Sequence, residues 1–496
     1  MVLKSVLISS ATAPFPKIWQ RVVYLLFFQK KTDEALYILC NLTNFAGVKR
    51  NGRMKYTKYL LLLLVVTSCA TKRSIRYRSY QADVMPTVPA PVQVYTPVVI
   101  EEEPEAEEPV VSARPLVSQV YRFPQGTWQY DKQRVLDSLC QSSIFETSQL
   151  GLYVYDLTDS QPLYAINAAH RMRPASCQKL VTAITALHYL KGNYQFTTDF
   201  RIKGTVKAGT LQGDLIIVGG MDPLVNYTEL LQAAASIKQQ QGINSIAGNI
   251  IYDLSMREDA PLGWGWCWDD DYGPLSALLV DGKDCFEQSW TKAMEEAGIK
   301  AQDSPQPSPK GREANAHSVY SIRHDLDILL ELMMKESDNI YAECLFYQTA
   351  ASTGKKGASH KEAAQRTEKL LESIGLEPEQ YKIADGSGLS LYNYVSAEML
   401  VALLGHAWRT PDIKEHLWAS LPISGFDGTL KKRMIGTAAE GNVRAKTGTV
   451  TGISSLAGYM IAANGHVLAF AIINQGISSS STGRSFQDKV CEEMCK

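Results

Sequence analysis

Two hydrophobic periods alternate along this chain and divide it into elements. Residues 127–148 place Val135, Leu136 and Leu139 on one helical face. Residues 151–176 carry two β-rich apolar runs around Asp159-Ser160-Gln161-Pro162, the pattern of a hairpin. After Ser176 the spacing becomes helical, with Leu180, Ala183, Ile184, Leu187 and Leu190 on one side and Pro174 just ahead. From about residue 196 to 318 the pattern changes again. FTTDFRIKGTV, TLQGDLIIVGG and IAGNIIYDLS read as short strands between Gly and Asp turns, which predicts a β-rich insertion. SWTKAMEEAGI then reads as a helix, and residues 305–317 as a polar return loop. Residues 325–346 form two helical runs broken by a polar turn. Residues 443–476 read as three alternating strands, with Asn464-Gly465 as a hairpin turn, and a helix closes the chain.

The first 126 residues keep to neither period for long. Lys55 and Lys58 precede an apolar run at 59–66 that is too short to span a bilayer. Thr67-Ser68-Cys69 comes next, completing a secretory signal pattern. A signal works at an N-terminus, so Met54 is the expected start, and residues 1–53 read as an over-extended start. Residues 70–126 hold Pro86, Pro89, Pro91, Pro97, Pro104, Pro109 and Pro115, with six glutamates between 101 and 108. Proline and like charge both oppose a packed core, so this segment is expected to be a disordered linker with a reach on the order of 100 Å.

Composition narrows the classes. At 496 residues the chain exceeds one compact core. Its net charge of −1 carries no nucleic-acid footprint. Nine cysteines show no zinc-type spacing, and Cys267 with Cys285 is a candidate bridge in an exported protein.

The chemistry begins at Ser176 and Lys179, three apart and hence on one helical face. A serine hydroxyl needs a neighbouring base, and a lysine serves as one only when burial or nearby positive charge lowers its pKa. Ser289/Lys292 and Ser352/Lys355 repeat the spacing and read as background. Two later motifs set Ser176 apart, Ser337-Asp338-Asn339 and then Lys446-Thr447-Gly448. Lys446 offers a charge to a terminal carboxylate and Thr447 a hydroxyl. Gly448 lets a substrate backbone lie against its strand. The Ser176 and Thr449 N–H groups are the expected oxyanion donors.

This trio, in this order, resembles the serine β-lactamases and penicillin-binding proteins. RPASCQKLVTA, the Gly219–Pro223 turn, LPISGFDGTLKKRM and DGSGLS with Asn393 and Ser396 in register resemble the penicillin-binding protein 4 type, peptidase family S13. That resemblance implies an α/β (α+β) fold: an antiparallel sheet flanked by helices, formed by 127–195 and 319–496, with 196–318 inserted. It implies a D-Ala-D-Ala carboxypeptidase/endopeptidase acting on peptidoglycan stem peptides through an acyl-serine, and acylated by β-lactams. Ser176 is then the nucleophile and Lys179 the base, kept neutral in part by Lys446. Ser337 relays protons, and Asn339 binds the substrate backbone. In this family an acidic residue in the Trp-Asp stretch pairs with the amino group of the substrate's diamino acid, which points to Asp269 or Asp270. Residues 54–69 resemble a lipoprotein signal, so Cys69 is the expected lipid attachment on the periplasmic side of a bacterial membrane. No metal or organic cofactor is implied. Cys177 reads as a small buried residue, with a redox-sensitive thiol as the sharper alternative. The rivals are a β-lactamase, a transpeptidase and a non-catalytic wall-binding protein of the same fold. The Glu-x-x-x-Asn loop of class A β-lactamases is missing between Asn339 and Lys446, which argues against the first.

Overall fold

A computed structural model describes residues 122–268, 270, 272–301, 306–308 and 316–496, of 306–308 the backbone alone. Residues 1–121, on which the expected over-extended start, signal with Cys69 and linker fall, and Asp269 lie outside the described residues. Helix α1 (Trp128–Cys140) is capped by Thr127, whose side chain accepts from the Tyr130 N–H. Strands β1 (Gln149–Asp156) and β2 (Gln161–Ile166) form the expected hairpin. Its turn falls slightly earlier than predicted. Asp156 Oδ1 accepts from the N–H groups of Thr158 and Asp159, closing the chain before Ser160. Pro162 therefore lies inside β2. It is tolerated because β2 is an edge strand and the register shifts beside it. Helix α2 (Gln178–Leu190) comes next.

The following stretch builds a second layer. It contains β3 (Gln195–Lys207), β4 (Thr210–Val218), α3 (Tyr227–Gln241), β5 (Ser245–Ile246), β6 (Ile250–Asp253), α4 (Phe286–Ala297), β7 (Lys300–Ala301), β8 (Gln306–Ser308) and β9 (His317–Asp325). The strands join in the order β7-β5-β4-β3-β9, with β6 paired to β4 and β8 to β6. Phe200, Ile217, Leu230, Trp290 and Met294 pack between this sheet and its two helices. The layer is more helical than predicted, because the Ala- and Gln-rich run of α3 carries little apolar periodicity. Its start has a local signal: Asn226 and Glu229 form a reciprocal capping box. The ends of this stretch meet, since Gln195 pairs with Asp325 and the Leu326 N–H donates to the Tyr194 carbonyl. At Gly219 and Gly220 the chain passes so close to Ala277 and Thr197 that a Cβ would lie 2.5 and 2.1 Å from their carbonyl oxygens. That close approach accounts for the glycines in this turn.

The chain then returns through α5 (Leu326–Lys335), α6 (Asn339–Ala351), α7 (His360–Ser373), α8 (Ala397–Arg409) and α9 (Pro411–Ser420). Strands β10 (Val443–Val450), β11 (Ile453–Ile461) and β12 (Val467–Gln475) lead to α10 (Ser480–Cys495). The first sheet is antiparallel throughout, in the order β10-β11-β12-β1-β2. Burial on both faces explains why its inner strands read as nearly continuous apolar runs. Ala471 and Ile473 face a core shared with Leu180, Ile184 and Leu403. Leu152, Phe470 and Ile472 face another with Leu136, Val490 and Met494. The predicted fold class holds: an antiparallel sheet between helices. No helix among the described residues is long and apolar enough to cross a membrane.

The candidate Cys267–Cys285 bridge does not form; both thiols are free. Cys267 is exposed on the Trp-rich turn, whereas Cys285 Sγ lies against Ser289 Oγ at the start of α4. Alkylation of the folded protein without prior reduction, read by peptide mass spectrometry, is expected to label Cys267 and, after denaturation, Cys285. Recovery of a linked Cys267–Cys285 peptide would contradict the arrangement.

Candidate active site

The nucleophile turn differs from the predicted helix start. Residues 175–177 form a 3₁₀ turn, and α2 begins only at Gln178. The pairing of Ser176 with Lys179 survives, because residues three apart eclipse in a 3₁₀ turn as they share a face in an α-helix. Lys179 Nζ lies 3.1 Å from Ser176 Oγ. It also donates to Asn339 Oδ1 at 2.6 Å and to the Ser387 carbonyl at 2.9 Å. A neutral amine has two N–H groups and one lone pair. With both N–H groups held by carbonyl oxygens, the lone pair points to the serine.

The second cluster sits where α5 ends. Ser337 adopts a left-handed φ of 64°, which breaks the helix and turns the chain. Asp338, rather than Ser337 or Asn339, caps α6 by accepting from the Tyr341 N–H. That leaves the Ser337 and Asn339 side chains for the groove. Ser337 Oγ accepts from Lys446 Nζ at 2.8 Å, and Lys446 also donates to the Thr447 carbonyl.

Lys446 lies on β10, which is an edge strand beside the nucleophile turn. Ser455 Oγ donates to the Pro174 carbonyl at 2.5 Å, and Cys177 Sγ donates to the Lys446 carbonyl at 3.2 Å. Cys177 is thus fully buried as packing between turn and strand. Thr447 Oγ1 donates to Thr429 Oγ1, and Thr449 is exposed. A Cβ on Gly448 would meet Ser455 Oγ, the Pro174 carbonyl and the Cys177 N–H nitrogen at 2.2, 2.7 and 3.0 Å.

Both lysines are fully buried. Burial lowers Lys179 to about 8, against the upward pull of Asp385, Glu343 and Asp338. Burial first, and then the charge of Lys179, lowers Lys446 to about 7. Burial is thus the largest cause at both amines, and repulsion between the two charges favours loss of a proton from one of them.

Several residues of the site have no role assigned from the sequence. Asp385 is the centre of the DGSGLS turn. It accepts from Ser387 Oγ and the N–H groups of Gly388 and Ser390, and also from Asn393 Nδ2 and Trp266 Nε1. Glu343 accepts from the N–H groups of Gly386 and Ser387. A glutamate inside α6, whose neighbours are nearly all buried, is the available signal. The Trp-Asp stretch reaches the site through Trp266. Asp270 turns its Oδ2 back to the Cys267 N–H at 2.7 Å, and among the described residues it makes no hydrogen bond to the Ser176 cluster. The two background pairs lie elsewhere: Ser289 and Lys292 on α4, Ser352 and Lys355 after α6.

The fit at Gly448 is testable. Gly448→Ala is expected to leave the circular-dichroism spectrum unchanged while lowering the rate of penicillin acylation about 10²-fold, since it wedges β10 away from the nucleophile turn. Unchanged acylation would show that strand and turn do not act together.

Comparisons with known proteins give the family. The D-Ala-D-Ala carboxypeptidase 3 (S13) family model matches residues 132–293 and 274–493. The chain is 27% identical over 421 residues to D-alanyl-D-alanine carboxypeptidase DacB of Haemophilus influenzae, covering 68% of this chain and 87% of that protein. It is 27% identical over 441 residues to the D-alanyl-D-alanine carboxypeptidase of Actinomadura sp. strain R39, covering 69% and 80%. The crystal structure of penicillin binding protein 4 from Haemophilus influenzae superposes with a TM-score of 0.65 at 23% identity, covering 73% of this chain and 99% of that one, and so shares the fold. With the family model spanning most of the folded chain, this protein belongs to the D-Ala-D-Ala carboxypeptidase 3 (S13) family of peptidases.

Proposed function

We propose that this protein trims peptidoglycan stem peptides as a serine D-Ala-D-Ala carboxypeptidase and DD-endopeptidase, with Ser176 as nucleophile. The D-Ala-D-Ala carboxypeptidase activity follows the family and its relatives' names. The observation that carries the residue assignment is the position of Lys179 Nζ, buried between Ser176 Oγ and two carbonyl acceptors.

The chemistry runs in two halves. Neutral Lys179 takes the Ser176 proton as Oγ bonds to the penultimate D-Ala carbonyl carbon. The C–N bond to the terminal residue then breaks, and its amine receives a proton through Ser337, which Lys446 touches. Water next attacks the ester, the C–Oγ bond breaks, and Ser176 regains a proton. Developing oxyanion charge falls to the Ser176 and Thr449 N–H groups. Lys446 and Thr447 take the terminal carboxylate, and Asn339 and Gly448 the substrate backbone. A β-lactam acylates Ser176 by the same first half. Asp270 is retained only as a weaker candidate for the substrate's amino group, because its carboxylate folds back on its own turn. Residues 127–195 and 319–496 form the catalytic part and 196–318 the insertion in this reading. Residues 54–69 deliver the chain across a membrane, Cys69 carries the lipid, and 70–126 span the gap to the wall.

Two measurements test this reading. Intact mass after incubation with penicillin is expected to rise by one penicillin on the wild type and not on Ser176→Ala; equal adducts on both would overturn the nucleophile. Membrane fractionation of the full chain expressed in a bacterium is expected to hold the wild type in the membrane pellet and release Cys69→Ser. Equal partitioning would remove the lipid anchor.

A further inference from the structure

Asn339 and Glu343 lie four residues apart on α6 and share one face. Asn339 touches the base directly. Glu343 reaches it through one peptide turn. Its Oε1 accepts from the Gly386 and Ser387 N–H groups, both at 2.9 Å, and the carbonyl of Ser387 accepts from Lys179 Nζ at 2.9 Å. Glu343 is only 1% exposed. A carboxyl group at that depth is retained against a desolvation cost, and its hydrogen bonds go to the turn that holds the base.

Resting on the reading of Lys179 as general base, we propose that Glu343 is a positioning residue for it. By gripping the Gly386 and Ser387 N–H groups, Glu343 fixes the two peptide planes that lead into Ser387, and with them the place from which the Ser387 carbonyl holds Lys179 Nζ beside Ser176. Asp385 holds the remainder of the same turn, through Ser387 Oγ, the Gly388 and Ser390 N–H groups, Asn393 and Trp266. The Gly388 N–H shares a peptide unit with the Ser387 carbonyl, so Asp385 is the turn's second anchor, and altering Glu343 loosens the approach to Ser387 rather than removing the turn.

Glu343 also acts by charge. The groups that face Lys179 are Glu343 and Asp338 from α6, Asp385 from the turn, Lys446 from β10 and the Cys177 thiol from its own turn. Burial, and then Asp385, push Glu343 up to about 8, into the range where Lys179 titrates. Glu343 and Lys179 then compete for protons over the same interval. Ionised Glu343 favours the protonated form of Lys179. A neutral replacement therefore leaves more of the base unprotonated over the interval in which Glu343 would be ionised.

The test measures second-order acylation by a fluorescent penicillin across about pH 5.5 to 9.5, with the purified full chain. Wild-type acylation is expected to rise with pH through about 8 as Lys179 loses its proton. Glu343→Gln keeps an acceptor of the same reach but removes the charge. Its rising limb is expected about one pH unit lower, with the plateau within about threefold of wild type. Glu343→Asp keeps the charge but shortens the reach. Its limb is expected to stay in place, with a plateau about tenfold lower or more. A Gln limb that coincides with wild type, or an Asp plateau equal to it, overturns the proposal, and either variant decides alone if the other does not fold. Aggregation of both assigns Glu343 to folding and also overturns it. Failure of the wild type itself to acylate would instead remove the underlying reading of Ser176 and Lys179.

Discussion

The structure depends on keeping an amine out of water. Lys179 has no exposed surface, so the protein must satisfy every polar direction of its nitrogen. Two carbonyl oxygens and one hydroxyl do so. The two carbonyls come from segments far apart in sequence, the head of α6 and the turn at 385–388. Both are thereby drawn into the chemistry, although only Asn339 belongs to the short motif that draws attention to the site. Burial lowers the proton affinity of the amine, and the surrounding carboxylates limit how far it falls. The base is thus set by a balance between desolvation and three carboxyl groups.

The second sheet is attached without disturbing that arrangement. It leaves after α2 and returns at α5, the helices that bear Lys179 and precede Ser337. Because β3 and β9 pair along their length, the two ends of the insertion are held as neighbours. Asp222 ties the Gly219–Gly220 turn to His324 on β9, and Glu229 on α3 holds the other ring nitrogen. Those two carboxylates raise the imidazole to about 9, with the Asp222 hydrogen bond the largest cause. The joint remains an ion pair through neutral pH.

The legibility of the sequence tracks the range of the interactions. Short-range patterns are readable. The Ser176–Lys179 pair, the break at Ser337 and the β11–β12 turn at Gly465 each depend on residues within about one turn of each other. The antiparallel sheet is readable because double burial makes its strands apolar. Effects set by distant partners are not. Pro162 resembles a turn residue because its place on a sheet edge is a tertiary fact. Cys267 and Cys285 look pairable because sequence does not give side-chain direction. The carboxylates of Glu343 and Asp385 around Lys179 are missed because motif spacing carries no information about them. Helix α3 is the exception, a local element that apolar periodicity overlooks although its capping box is legible.

Local strain is present where these long-range contacts converge. Ala175 and Ser337 have φ values of 46° and 64°, and Gly388 has 83°. All three border the Lys179 cluster. A Cβ on Gly388 would lie 1.9 Å from the Ala175 carbonyl oxygen, so the 385–388 turn sits directly on the nucleophile turn. Left-handed backbone at an alanine or serine is disfavoured and persists only where neighbours over-determine it. Here the neighbours are the Asp385 hydrogen bonds on one side and strands β10 and β11 on the other, through Lys446 and Ser455. The same contacts that hold the strained turns also place Ser176, Lys179 and Ser337. Relaxing any one turn toward ordinary helix would move its side chain out of the cluster, so the strain is a consequence of bringing three separated segments onto one nitrogen atom.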